Sequence, residues 1–162
     1  RGLQASASLK RDPYAINVNY TYTDPQNVEA KAGDENLAKA GEEPAERRIG
    51  DIASHRFNLI GNYLCGERLN LNLRINYVGE RKTGASTTVP DNPYEVIDGY
   101  TAINGAVTYA VPVEGLSLQL SVNNLLDVEY FHPGVRSAEG TIHVARLPQN
   151  GRNATMRILY DF

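Results

Sequence analysis

Residues 116–123 read Leu116-Ser117-Leu118-Gln119-Leu120-Ser121-Val122-Asn123. Every second side chain in this stretch is aliphatic, and every side chain between them is polar. Because successive side chains of a β-strand point to opposite faces of the sheet, this period of two predicts a strand with one apolar and one polar face. Six further stretches alternate in a similar way, so the fold class that we predict is all-β.

The connections between the seven predicted strands are alternately short and long. The strands cover residues 3–9, 14–24, 53–64, 68–79, 100–111, 116–124 and 152–162, and the long connections cover 25–51, 80–99 and 125–151. Such long loops are uncommon in compact soluble domains, whereas outer-membrane barrels combine short periplasmic turns with long extracellular loops. We therefore predict an antiparallel up-and-down meander within a transmembrane β-barrel. A short helix is predicted at 34–45 inside the first long loop.

The two faces of this predicted sheet differ in polarity. In the second hairpin we place Tyr63 opposite Leu69, and in the third Tyr109 opposite Leu118, because each register collects apolar side chains on one side. We expect the polar side to line an aqueous lumen. The lumen-facing residues that we predict are Arg56, Asn58, Asn62, Asn70, Asn72, Arg74, Asn76, Asn104, Gln119, Asn123 and Arg157.

Tyrosines cluster at both ends of the predicted strands. Their amphipathic rings favour the headgroup level of a membrane, with the ring in apolar surroundings and the hydroxyl in water. If the short turns are periplasmic, the periplasmic belt contains Tyr14, Tyr63, Tyr109, Tyr160 and Phe162, and the outer belt contains Tyr22, Tyr77 and Tyr100. The sequence therefore predicts two aromatic belts around a band of lipid.

Composition is consistent with this prediction and provides no sign of catalysis. The chain has 162 residues, 41% of them hydrophobic, and a net charge of −3 with scattered basic residues, which does not suggest a nucleic-acid surface. The mean hydropathy of −0.41 is low because only alternate residues of a barrel strand meet lipid. Cys65 is the single cysteine. We find no phosphate-binding glycine loop, zinc-protease motif or nucleophile elbow, so we predict no enzyme, metal or cofactor.

A longer segment after the third hairpin resembles a known family. The run Ser121-Val122-Asn123-Asn124-Leu125-Leu126-Asp127-Val128-Glu129-Tyr130 is similar to a segment near the end of the TonB-dependent outer-membrane receptors of Gram-negative bacteria, with Leu126 where phenylalanine is commoner. Residues 148–152 and the ending Tyr160-Asp161-Phe162 resemble the family's closing strand, and 19–24 and 70–79 resemble other family strands. The resemblance extends over nearly the whole chain.

The resemblance implies a fold, a function and partners. Residues 1–162 would be the C-terminal part of a barrel of about 22 strands, because seven strands are an odd number and too few to close around a plug. The chain starts at Arg1 without an export signal, so we expect its start to be missing, and the N-terminal plug and earlier strands to be absent here. The implied function is TonB-energised uptake of a scarce nutrient, most simply a ferric siderophore. The implied partners are the plug, the remaining strands, TonB through the absent N-terminal part, outer-membrane lipid and a metal chelate substrate. Phe162 would be recognised during barrel assembly.

In such a receptor the long outer loops would contact the chelate. The aromatic and basic residues that suit an aromatic or anionic iron chelate are Tyr94, Tyr130, Phe131, His132, Arg136, His143 and Arg146. Two alternatives remain at this point. One is a passive porin or a small structural barrel completed by an eighth strand at 141–147, and the other is a soluble β-sandwich binding module.

Overall fold

The structure is a computed structural model, and it describes residues 1–25, 51–82, 96–136 and 142–162. These residues form eleven strands. They are β1 (Gly2–Arg11), β2 (Tyr14–Thr23), β3 (His55–Cys65), β4 (Leu69–Val78), β5 (Arg81–Lys82), β6 (Val96–Ile97), β7 (Tyr100–Ala110), β8 (Leu116–Asn123), β9 (Phe131–Arg136), β10 (Ile142–Pro148) and β11 (Asn153–Tyr160).

One antiparallel sheet contains seven of these strands in the order β1-β2-β3-β4-β7-β8-β11. They are the seven strands predicted from the alternation, with ends that differ from the predicted ones by no more than two residues. Each strand pairs with the next one predicted along the chain, so the up-and-down meander is confirmed. The period of two was sufficient because each strand exposes its two faces to different surroundings.

The register of the third hairpin is confirmed, and that of the second is wrong by two residues. Tyr109 lies opposite Leu118 as predicted. Tyr63, however, lies opposite Leu71 rather than Leu69, because the turn begins at Gly66, which has a φ of +64°. A shift of two residues keeps every side chain on its original face, so the alternation could not distinguish these two registers.

The seven-stranded sheet therefore has one mainly apolar and one mainly polar face, with exceptions such as Ile60, Leu64 and Val78 on the polar one. We call the side that contains Leu71, Leu73, Leu118 and Leu120 the apolar face, and we call the opposite side the polar face. On the apolar face Met156 is 67% exposed and Leu120 50%. Among the described residues only Ala53, Ile97 and Ala102 are buried hydrophobics, so no second sheet covers this face. The β-sandwich alternative is wrong for this reason.

Two small hairpins beyond the outer end of the sheet were not predicted. β5 pairs with β6, and β9 pairs with β10. Residues 142–148 do form a strand close to the proposed eighth one, but it pairs with β9 instead of extending the large sheet. The helix predicted at 34–45 lies outside the described residues. None of the described residues forms a helix that is long and apolar enough to span a membrane.

All the tyrosines assigned to the two predicted belts except Tyr100 lie on the apolar face, and the belts themselves stay a prediction. Tyr14 and Tyr63 stack with ring centroids 4.9 Å apart, and Tyr160 contacts Phe162 edge to face, also at 4.9 Å. Tyr109 shares the apolar face with them, near the same short-turn end. Tyr100 lies opposite Val78 on the polar face, so its assignment to the outer belt is wrong. The reason is parity, since Thr101, the residue after it, occupies the apolar position.

Candidate functional site

Paired amides cross the polar face between neighbouring strands. Asn76 donates to Asn58 at 2.6 Å, and Asn72 donates to Asn62 at 2.7 Å, both between β4 and β3. On later strands Gln119 donates to Thr108 at 3.2 Å, and Asn123 donates to Asn153 at 2.9 Å. By register, the same face also contains Arg56, Asn70, Arg74, Asn104 and Arg157. All eleven residues predicted to face the lumen therefore share one side of the sheet.

Asn124 fixes the chain where it leaves β8. Its side chain donates to the carbonyl of Val128 at 2.9 Å and accepts the backbone N–H of Val128 at 3.0 Å, so it closes a tight turn. Its own backbone N–H donates to the side chain of Asn104 at 2.9 Å. Asn124 is 3% exposed and has a φ of +52°, which asparagine tolerates better than most residues. This turn sets the direction in which the last outer loop starts.

Asp127 connects the start of this loop to its end. One carboxylate oxygen accepts the backbone N–H of Arg152 at 2.8 Å, and the other lies 3.7 Å from the Arg152 guanidinium. Both side chains are more than half exposed, so the ion pair itself contributes little. The backbone hydrogen bond contributes more, because it holds β11 beside β8 although residues 124–152 lie between these strands.

Aromatic and basic side chains from four segments meet at the outer end of the polar face. Tyr100 stacks on Tyr130 with ring centroids 4.2 Å apart, and its hydroxyl lies 3.3 Å from Nε2 of His132. The Arg146 guanidinium lies 3.7 Å from the centre of the Phe131 ring, at cation–π distance. Together with Arg81, these residues form a group that we call the outer cluster: Arg81, Tyr100, Tyr130, Phe131, His132 and Arg146.

Arg81 is the buried cation of the outer cluster. Arg81 is 6% exposed, it donates to the backbone carbonyl of Phe131 at 2.7 Å, and its guanidinium lies 5.9 Å from the centre of the Tyr100 ring. Its Nε atom has no hydrogen-bond partner within the part of the chain that the structure describes. Arg81 thus connects the loop after β4 to the loop after β8, at the cost of a partly unsatisfied guanidinium.

The environment of His132 favours its neutral form. Burial, and then the positive charge of Arg81, lower the pKa of His132 below its ordinary value of 6.5. A neutral imidazole can accept a hydrogen bond from the Tyr100 hydroxyl at Nε2, whereas an imidazolium can only donate one to the hydroxyl oxygen. The surroundings of His132 in the outer cluster therefore disfavour its charged form.

Four of the seven predicted chelate-contacting residues lie in the outer cluster, namely Tyr130, Phe131, His132 and Arg146. A cavity of about 220 Å³ adjoins it and is lined by Ile97, Asp98, Glu129, Tyr130, Phe131 and Arg146, among others. Arg136 and His143 belong to β9 and β10 by their backbone. Tyr94 lies outside the described residues.

Sequence reasoning missed Arg81 and Tyr100 as members of this site. The alternation could have placed Tyr100, because Thr101 lies on the apolar face and the residue before it in a strand must lie on the polar face. Arg81 had none, because it is buried by a segment 50 residues further along the chain.

The comparisons with known proteins agree with this geometry. The sequence model described as "TonB dependent receptor-like, beta-barrel" matches residues 1–125. Similar solved structures include the ferric enterobactin receptor PfeA from Pseudomonas aeruginosa, at 17% identity and a TM-score of 0.67 over 99% of this chain and 22% of that one. The ferric citrate transporter FecA is similar at 19% identity and a TM-score of 0.68, over 93% of this chain and 21% of that one.

A third similar structure is the ferric-catecholate import receptor Fiu from K12 E. coli, at 17% identity and a TM-score of 0.63 over 92% of this chain and 18% of that one. The chain therefore spans about a fifth of the length of these structures. No curated protein matches it by sequence. The structural likeness shows the fold, and the sequence match extends over more than half of the chain. The chain thus belongs to the TonB-dependent-receptor-like β-barrel family.

Proposed function

We propose that this chain is part of the barrel wall of a receptor that imports a ferric chelate with energy supplied through TonB. Barrels of this family lie in the outer membrane of Gram-negative bacteria, and that is the location of this chain. The family consists of transport receptors rather than enzymes. The observation that carries the proposal is the outer cluster, where stacked aromatics and arginines lie at the loop end of a barrel sheet.

The polar face fits a lumen that holds a plug. Its amides are paired across the strands, so the wall is already hydrogen-bonded before any other domain meets it. The side chains of Arg56, Arg74 and Arg157 lie on the same face by register. In the proposed receptor these guanidinium groups hydrogen-bond with the plug or with water, and the plug with its TonB-contacting segment lies outside residues 1–162.

The chelate-contacting surface of this chain is the outer cluster with the adjoining cavity. Ferric chelates of the catecholate and citrate types present aromatic rings or anionic oxygens, and these suit stacked tyrosines and guanidinium groups. The similar structures support this choice, since they include receptors of ferric enterobactin and ferric citrate, one of them in complex with enterobactin. The cavity of about 220 Å³ would hold only part of such a ligand.

Phe162 and the periplasmic belt have a separate proposed role in assembly. Phe162 is fully exposed next to Tyr160, at the end of the last strand. An exposed aromatic residue directly after a barrel strand is accessible to the machinery that inserts barrels. Tyr14, Tyr63 and Tyr109 then hold the finished wall at the headgroup level.

Growth and uptake experiments test the proposed function. The intact gene is deleted, and growth is measured on defined ferric chelates, each as the sole iron source, together with uptake of radioactive iron. We expect at least a tenfold loss of uptake for one chelate class, its restoration by the intact gene, and an equal loss when TonB is deleted. Uptake that persists without TonB but needs this gene would indicate a passive porin instead.

A further inference from the structure

The apolar face has a shallow trough of about 500 Å³ in its middle. Two register rows border it, each of which crosses five strands from β2 to β8. One row starts at Tyr14 and ends at Leu120, and the other starts at Ile16 and ends at Val122. The second row contains Gly61 and Gly105; the missing side chain of Gly61 leaves open space, whereas Leu125 packs beside Gly105 at the border of the trough. A Cβ atom placed on Gly61 would meet no atom within 4 Å.

The trough runs diagonally from the short-turn end of the sheet toward its middle. Tyr14 is the first residue of β2, directly after a short turn, whereas Leu120 is the fifth residue of β8. The end at β8 therefore lies about 13 Å deeper along the strands than the end at β2, at roughly 3.3 Å per residue. Four spacings between strands give the trough a length of about 19 Å. One leaflet of the hydrocarbon core is about 15 Å thick.

A cation lies at the shallow end of the trough. Arg11 is directly opposite Tyr14 and continues the same register row on β1. It is exposed, and the one ion pair found among the described residues joins two other side chains, Arg152 and Asp127. An arginine on the apolar face at a membrane interface places its guanidinium at the level of the phosphates. Charge and shape therefore favour the same occupant, namely a lipid with an anionic headgroup at Arg11 and one chain along the trough.

We propose that this trough binds one acyl chain of a glycerophospholipid from the periplasmic leaflet and that Arg11 binds the phosphate of that lipid. The trough lies on strands β2 to β8 and Arg11 lies beside it on the edge strand β1, and both are separate from the chelate-contacting surface. It provides one specific lipid position on a face that is otherwise surrounded by exchanging lipid.

Native mass spectrometry of the full-length receptor tests this site. Dipalmitoyl phosphatidylglycerol is titrated against the receptor in detergent, with dipalmitoylglycerol as the probe that has the same chains but no phosphate. We expect the receptor to bind one phosphatidylglycerol molecule tightly. Dipalmitoylglycerol should bind to the same site at least tenfold more weakly. Gly61→Leu fills the trough and should weaken the binding of both lipids at least tenfold. Arg11→Gln should reduce phosphatidylglycerol binding to the level of dipalmitoylglycerol.

Two matched variants control for general effects of charge and bulk. Lys10→Gln removes one positive charge next to Arg11 in the sequence but on the polar face. Ala5→Leu introduces a leucine, as Gly61→Leu does, at a position of the apolar face outside the trough. Both should bind within twofold of the unmodified receptor. Equal lipid binding by all five proteins would show an unspecific lipid coat and would overturn the proposal. Loss of binding in Lys10→Gln as large as in Arg11→Gln would also overturn it.

Discussion

Asn124 and Val128 form a reciprocal pair, in which the side-chain amide of Asn124 donates to the carbonyl of Val128 and accepts its backbone N–H. The distances are 2.9 Å and 3.0 Å, and the asparagine is almost completely buried. This pair closes the turn from which the last outer loop starts, and β9 of that loop contributes two aromatic members of the outer cluster. The local turn therefore determines where part of the candidate site lies.

Asn124→Ala should loosen this turn. The change leaves the N–H and C=O of Val128 without their partner and places alanine at a φ of +52°, so we expect a local loss of about 1–3 kcal/mol. The measurement is the protection factor of the Val128 amide in the full-length receptor, which should fall at least tenfold. Asn123→Ala, which removes an exposed amide, should leave it unchanged. Equal effects of the two changes would contradict the account.

Gly105→Leu should destabilise the barrel, because Leu125 already occupies the space next to this glycine. A Cβ atom on Gly105 would lie 3.3 Å from Cδ1 of Leu125, and a whole leucine side chain would displace it, at a cost of about 1–3 kcal/mol. The measurement is the thermal unfolding midpoint of the full-length receptor. Gly61→Leu is the matched control on the same row and should shift the midpoint little. A lower midpoint in the control than in Gly105→Leu would refute this packing.

Arg81→Met should separate the two outer loops that this side chain joins. The carbonyl of Phe131 would lose a charged donor at 2.7 Å, so amide protection over β9 should fall at least tenfold while that of β4 is unchanged. Chelate affinity should fall as well if the outer cluster contacts the ligand. Arg68→Met, at the short turn between β3 and β4, is the control. Unchanged protection of β9 in Arg81→Met would exclude the proposed connection.

The outer cluster should weaken as pH falls. Because the folded pKa of His132 is lowered, the unfolded chain binds more protons than the folded one between the folded pKa and about pH 6.5. The stability that neutral His132 contributes is therefore present above pH 6.5 and is lost as pH falls toward the folded pKa. We expect protection factors over β9 to be lower at pH 5.0 than at pH 7.5. His132→Gln, which keeps an acceptor but cannot titrate, should show a flatter profile.

The alternation predicted the sheet well because each of its strands separates two different surroundings. It predicted parity in the second and third hairpins but the register in only the third, because a shift of two residues preserves parity and Tyr63 was paired with Leu69 instead of Leu71. Arg81 could not be assigned to a site, since its burial depends on a backbone carbonyl 50 residues away. Strand β9 was also missed, because Pro133 and Gly134 interrupt its pattern. Contacts between separate outer loops form only in the folded structure, so a local sequence pattern does not predict the part of the site that depends on them.

The central claim is that the apolar face contacts lipid while the polar face contacts water. Spin labels at each position of 116–123 in the full-length receptor test it most directly, after the exposed Cys65 has been replaced by serine. Collision rates with oxygen and with a water-soluble nickel complex are measured at every position. We predict oxygen maxima at Leu118, Leu120 and Val122 and nickel maxima at Gln119 and Ser121. Two curves without a period of two, or labels shielded from both reagents, would contradict the account.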